Sequence, residues 1–92
     1  MSKSILSNER ECYVCKTPLN LHKHHIFPAA NRKNSEQYGC WVYLCAWHHN
    51  MSNEGVHFNR LLDLELRQTA QRKFEELHSH EEFMRIFGKN WL

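Results

Sequence analysis

Two half-sites set the terms for this chain: "CYVC" at 12–15 and "CAWH" at 45–48, each with two residues between its ligand side chains. That spacing lets both side chains of a half-site converge on one ion, whereas an isolated C-x-x-C says little. Together they spell a tetrahedral site of Cys12, Cys15, Cys45 and His48, for which Zn2+ is the natural occupant. A chain of 92 residues buries a modest core, and domains this small commonly rely on such a staple. Four cysteines also admit disulfides. However, no positively charged apolar leader opens the sequence, and no apolar run approaches the roughly 18 residues of a membrane span. A reducing cytoplasm is therefore expected, with the thiols as ligands and no membrane partner. Cys40, the odd thiol, reads as a core residue of a β-rich run.

The rest of the chain organises around these half-sites. "MSKSILSNER" reads as a polar, loosely held tail. After the 12–15 knuckle, "KTPLN" closes a turn, and a short strand-like run leads to Phe27. "PAANRKNSEQYG" reads as a loop and "CWVYLC" as a second strand, so the expectation is a hairpin-like pair joined by a long basic loop. From about Val56 the period changes: Phe58, Leu62, Leu66, Ala70, Phe74 and Leu77 recur every three or four residues, giving a core stripe on one helix of roughly 20 residues. Ser79 followed by Glu82 is a capping-box signature for a last helix "HEEFMRIF", which Gly88 can terminate. "FGKNWL" is expected to fold its aromatics back onto the core. The fold class is α+β: one domain, 1–92, with a metal-stapled core at 12–57 and a helical extension at 58–92.

The histidines raise a second question. "HKHHIF" at 22–27 holds three imidazoles in four positions, and a side chain this versatile is a ligand, a base or a packing element according to its partners. The zinc assignment uses His48 and leaves His49 beside it. Successive residues on a helical turn point about 100° apart, so His48 can face one centre while His49 faces another. A second site is implied, with the 22–25 histidines as its other wall. His22 itself reads as a surface strand residue or an outer donor, while His78 and His80 flank a helix cap and read as structural.

The paired "HH" after a zinc half-site, followed by "LCAWHH" at a strand-to-helix junction, resembles the HNH, or ββα-metal, nucleases, and most of all small phage-encoded members. The resemblance runs from about Cys12 to about His57, half the chain. It implies a ββα core, a structural zinc and a DNA endonuclease or nickase working in the cytoplasm of a bacterial host cell. Carried over by position, His24 resembles a ligand of a catalytic divalent ion and His25 the general base. His49 falls on a further ligand position, and His57 or Asn53 on the third. The chain departs from the family pattern in two places. The middle asparagine would fall near Gly39 or Cys40, neither of which can take its role, leaving Asn31, Asn34 or a loop carbonyl to orient His25. The first ligand is His24 where zinc-bearing members commonly have Asp.

Hydrolysing a phosphodiester requires a nucleophile made from water, and imidazole, with an ordinary pKa of about 6.5, suits that proton transfer near neutrality. Three neutral nitrogens favour Mn2+, Ni2+, Co2+ or Zn2+ over Mg2+, which prefers oxygen ligands. The formal charge of +2, from 12 basic and 10 acidic side chains, neither requires nor excludes DNA. Lys23, Arg32 and Lys33 surround the expected site and are the candidate phosphate contacts, whereas Arg60, Arg67, Arg72 and Lys73 read as a solvated helix face. No recognition helix is evident, so sequence preference is expected to be weak or structure-directed. The need for a protein partner and the oligomeric state, a dimer included, stay open. The alternative is a noncatalytic zinc module of treble-clef type that binds nucleic acid or protein with the same half-sites.

Overall fold

The computed structural model describes residues 3–52 and 55–92. The chain is α+β, built on a two-stranded antiparallel hairpin of β1 (Leu21–His25) and β2 (Trp41–Cys45). The register pairs Leu21 with Cys45 and His25 with Trp41. Alternation along β1 sends His22 and His24 to one face and Lys23 and His25 to the other. β2 is buried almost throughout, as a β-rich apolar run should be, and Cys40 just before it is fully buried in the core.

The connection between the strands is not the loop its composition suggests. Pro28 leads into a 3-10 turn, Ala29–Asn31, and then a helix α1 (Arg32–Tyr38). Tertiary bonds hold this helix. The buried Ser35 hydroxyl donates to the Phe27 carbonyl at 2.8 Å and accepts from the Phe27 N–H at 3.1 Å. Asn31 and Asn34 donate to the carbonyls of Phe87 and Ile86. Gly39 ends the helix at φ 74°, a left-handed conformation natural to glycine, and returns the chain to β2.

The N-terminal segment is likewise no free tail from Lys3 onward. Ile5 N–H donates to the Gly39 carbonyl at 2.9 Å, the buried Ser4 hydroxyl donates to the Trp41 carbonyl, and Tyr13 N–H donates to Tyr43 O at 2.9 Å. These bonds cover the outer edge of β2.

After β2 the backbone makes a π turn, Trp47–Met51. The long helix α2 (Arg60–Leu77) starts later than about Val56, with the Asn59 side chain capping Leu62 N–H. Its buried face is Leu66, Ala70, Gln71 and Phe74, while Leu62 packs partly against the core. Phe58 and Leu77, expected in the core stripe, are 64% and 65% exposed: Phe58 precedes the helix, Leu77 is its last residue, and the buried positions run only from Leu66 to Phe74. Gln71 is buried in the apolar stripe with its amide satisfied: it donates to Glu75 and Asn90 and accepts from Trp91 N–H at 2.8 Å. Helix α3 (His80–Phe87) is capped at Ser79, whose hydroxyl accepts from Glu82 N–H at 3.0 Å, and ends at Gly88 in the left-handed conformation. Phe74, Phe83 and Phe87 interlock with Phe27 across the core, each such burial contributing about 2 to 3 kcal/mol. Among the described residues no helix is long and apolar enough to cross a membrane.

Candidate metal centres

The knuckle is a tight turn. Lys16 N–H donates to the Cys12 carbonyl at 2.9 Å and Cys12 N–H to Thr17 O at 2.8 Å, with Lys16 at φ 68°. The turn lays Cys12 and Cys15 beside the end of β2, where Cys45 and His48 complete a group whose ligand atoms all lie within 4.8 Å of one another. Sulfurs about 2.3 Å from a tetrahedral zinc stand about 3.8 Å apart, and a sulfur and a nitrogen about 3.6 Å. Here Cys15 Sγ and Cys45 Sγ are 3.8 Å apart, while His48 Nδ1 is 3.7 Å from Cys12 Sγ and 3.3 Å from Cys45 Sγ. The dimensions are compatible with a zinc site. Burial pushes the Cys12 thiol up, but the N–H groups of Cys15, Cys45 and Val14 outweigh it and hold the thiol at about 6. Cys45 is raised by its burial and by the neighbouring thiols. A cation among them would relieve that repulsion. Cys40 stands apart, its thiol pushed up to about 12 by burial, which suits an inert core residue.

The π turn explains how neighbours serve two centres. His48 faces the sulfurs, while His49 turns to the face of β1 that carries His24 and meets His57 beyond the turn. His24, His49 and His57 each offer a nitrogen within 4.8 Å of the others. His49 Nε2 and His57 Nε2 are 3.1 Å apart, inside the roughly 2.9 to 3.4 Å expected for two nitrogens sharing one ion. His24 is the deepest of the three, and its Nε2 is fully buried without a hydrogen-bond partner among the described residues. Burial, then the charges that His49 and His57 can carry, push the His24 imidazole down to about 3, so it stays neutral at any ordinary pH. His49 is lowered by its burial, then by His57 and His22. An unsatisfied buried nitrogen costs about 1 to 3 kcal/mol, and a cation bound there would satisfy it. The donor set fits a divalent ion of imidazole preference. Exposure grades outward from buried His24 through His49 to exposed His57, so the centre is open on the His57 side.

The other candidate residues fall as follows. His57 joins the second centre, and Asn53, its rival as third ligand, lies outside the described residues. His25 points away from the His24 side of the strand, and its Nε2 is 3.6 Å from the Glu36 carboxylate on α1. Asn31 and Asn34 face α3 rather than His25. Nothing in the sequence marks Glu36, because 28–39 has the composition of a loop and no helical register ties position 36 to the strand. Lys23, a candidate phosphate contact, bonds both Glu36 oxygens at 3.1 Å and lies 4.1 Å over the Trp41 ring. Arg32 and Lys33 stand exposed on the first turn of α1, not on a loop. His80 bonds Glu75 and His78 lies near Glu82, in keeping with structural roles around the last cap. Compared with protein-family models, curated proteins and solved structures, the chain matches none of them.

Proposed function

We propose that this protein is a metal-dependent DNA endonuclease or nickase of the HNH type, with Zn2+ at Cys12, Cys15, Cys45 and His48 and a catalytic divalent ion at His24, His49 and His57. The observation that carries the reading is that the buried His24, whose Nε2 has no partner among the described residues, brings a ring nitrogen within 4.8 Å of those of His49 and His57. A noncatalytic treble-clef module has no use for three imidazoles meeting outside its Cys/His centre. When bound, the divalent ion acts as a Lewis acid and charge neutraliser for the phosphate and the departing oxygen.

The chain's own residues do the rest. His25 is the last residue of β1, so a phosphodiester laid across the strand terminus would reach both it and the ion on the opposite face. Its imidazole takes a proton from water; the water oxygen forms the new bond to phosphorus, and the bond from phosphorus to the 3′ oxygen breaks, leaving a 5′ phosphate and a 3′ oxygen that takes its proton from solvent. Glu36, in ion-pair range of His25 Nε2, takes the orienting part that the family gives to an asparagine. Arg32 and Lys33 supply phosphate contacts from α1, without a base code.

Plasmid nicking by the purified protein across Mn2+, Ni2+, Co2+, Zn2+ and Mg2+ tests this. Removing a general base costs about a hundred- to ten-thousand-fold, so His25→Ala should be nearly inert while retaining the second ion. No nicking with any metal, or full activity in His25→Ala, would overturn it.

A further inference from the structure

We infer that His22 is a positioning residue of the imidazole centre: it fixes the tautomer and ring orientation of His49 by accepting a hydrogen bond from His49 Nδ1–H. The inference rests on reading His24, His49 and His57 as a metal site. His22 lies two residues before His24 on the same face of β1, and its ring meets that of His49 edge-on, with centroids 5.1 Å apart and planes at 86°. The contact is specific in its atoms. His22 Nδ1 is 3.0 Å from His49 Nδ1, whereas His49 Nε2 faces His57 Nε2. The two nitrogens of the His49 ring thus have separate tasks.

A neutral imidazole carries one proton, and a nitrogen that binds a cation must be bare. If Nε2 is the ligand, the proton resides on Nδ1 and needs an acceptor. Ligating histidines usually find that acceptor in a carboxylate, a carbonyl or water. Here another imidazole fills the place, and His22 Nδ1 must itself be bare to accept. Because it sits against the opposite edge of the His49 ring from the triad, His22 cannot share the ion that His49 Nε2 would hold. The pair also explains an exposed histidine on a strand whose inward neighbour His24 is buried.

Calorimetric titration of Ni2+ into protein whose Cys/His centre is filled with zinc provides the test, beside the variants His22→Ala, His22→Asn and His49→Ala. His22 is exposed, so its replacement leaves the core and the thermal melt of the zinc-loaded protein unchanged. Asn places its side-chain oxygen near the position of a histidine Nδ1 and can accept the same bond. Loss of an outer-shell partner costs about ten- to a hundred-fold in metal affinity, so His22→Ala should weaken Ni2+ by at least about ten-fold. His22→Asn should stay close to the parent, and nitrogen-15 imidazole spectra should show His49 protonated at Nδ1 in the parent and in His22→Asn. Unchanged affinity in His22→Ala, or His22→Asn as weak as His22→Ala, refutes the positioning role. Loss of Ni2+ in His22→Ala as complete as in His49→Ala refutes it also, by making His22 a ligand. A parent that takes up no Ni2+ beyond its zinc refutes instead the reading of the triad as a metal site, and the inference with it.

Discussion

The two centres hang from adjacent residues of one π turn yet differ in almost every physical respect. The Cys/His centre offers three sulfurs, two of which become anionic ligands readily only with a cation or backbone N–H groups nearby, and its four donors leave no open position. The imidazole centre offers three neutral nitrogens and a gradient of exposure, from His24 at 6% to the exposed His57. A charged, closed set holds an ion permanently and joins distant parts of the chain. A neutral, incomplete set holds an ion more weakly and leaves room for an incoming ligand. On the proposed function, what separates a staple from a working site in this fold is the donor type and the fourth position, more than the location.

The sharpest way to break that contrast is to remove one ligand from each centre. Zinc binding in small domains is worth about 10 to 16 kcal/mol, comparable to or above the whole stability of a domain this size. Cys45→Ala should therefore leave the chain unfolded by circular dichroism, and refolding without zinc should give the same result. His49→Ala should retain the zinc and a cooperative melt while losing the second ion. A native-like apo protein, or unfolding by His49→Ala, would erase the distinction.

Metal preference sharpens the contrast at the next level. A three-nitrogen set should support nicking with Mn2+, Ni2+ or Co2+ over Mg2+, and His57→Asn, by introducing an oxygen donor, should narrow the gap between Mn2+ and Mg2+. Faster turnover with Mg2+ in the parent would argue against a nitrogen-only site; an unaffected His57→Asn would move the third ligand elsewhere. The smallest effect is expected at Glu36. Its pairing with His25 is partly solvated and worth at most about 1 kcal/mol, so Glu36→Gln should slow nicking by no more than about five-fold and spare both ions. A collapse as large as that of His25→Ala would mean that Glu36 itself touches the reacting water.

The Cys/His cluster was legible in the sequence because ligand spacing is a local quantity, whereas the grouping of His24, His49 and His57 followed from a resemblance and from no spacing. Two residues between Cys12 and Cys15, and between Cys45 and His48, fix convergence whatever surrounds them. The hairpin and the caps at Ser79 and Gly88 were legible for the same reason, through strand patterning and cap chemistry. Helix α1 was not. It runs for seven residues, buries only Ser35, and draws its support from Phe27, Ile86 and Phe87, so it leaves no apolar period to read. Without that helix nothing along the chain ties Glu36 to His25. The periodicity of α2 was correct in direction but not in extent, since a repeat shows which face is apolar and not how far the neighbours reach along it. The pairing of His22 with His49 depends on a strand and a turn meeting in space, which no spacing along the chain encodes.

Gly39 has a consequence for the N-terminal segment. A side chain there would have to occupy the position of the Lys3 carbonyl, pushing the N-terminal segment off the hairpin. With it would go the Ile5 bond to the Gly39 carbonyl and the Ser4 bond to Trp41, uncovering the Trp41 carbonyl on the rim of β2. A single missing side chain thus decides whether the first residues of the chain can lie along the strand at all.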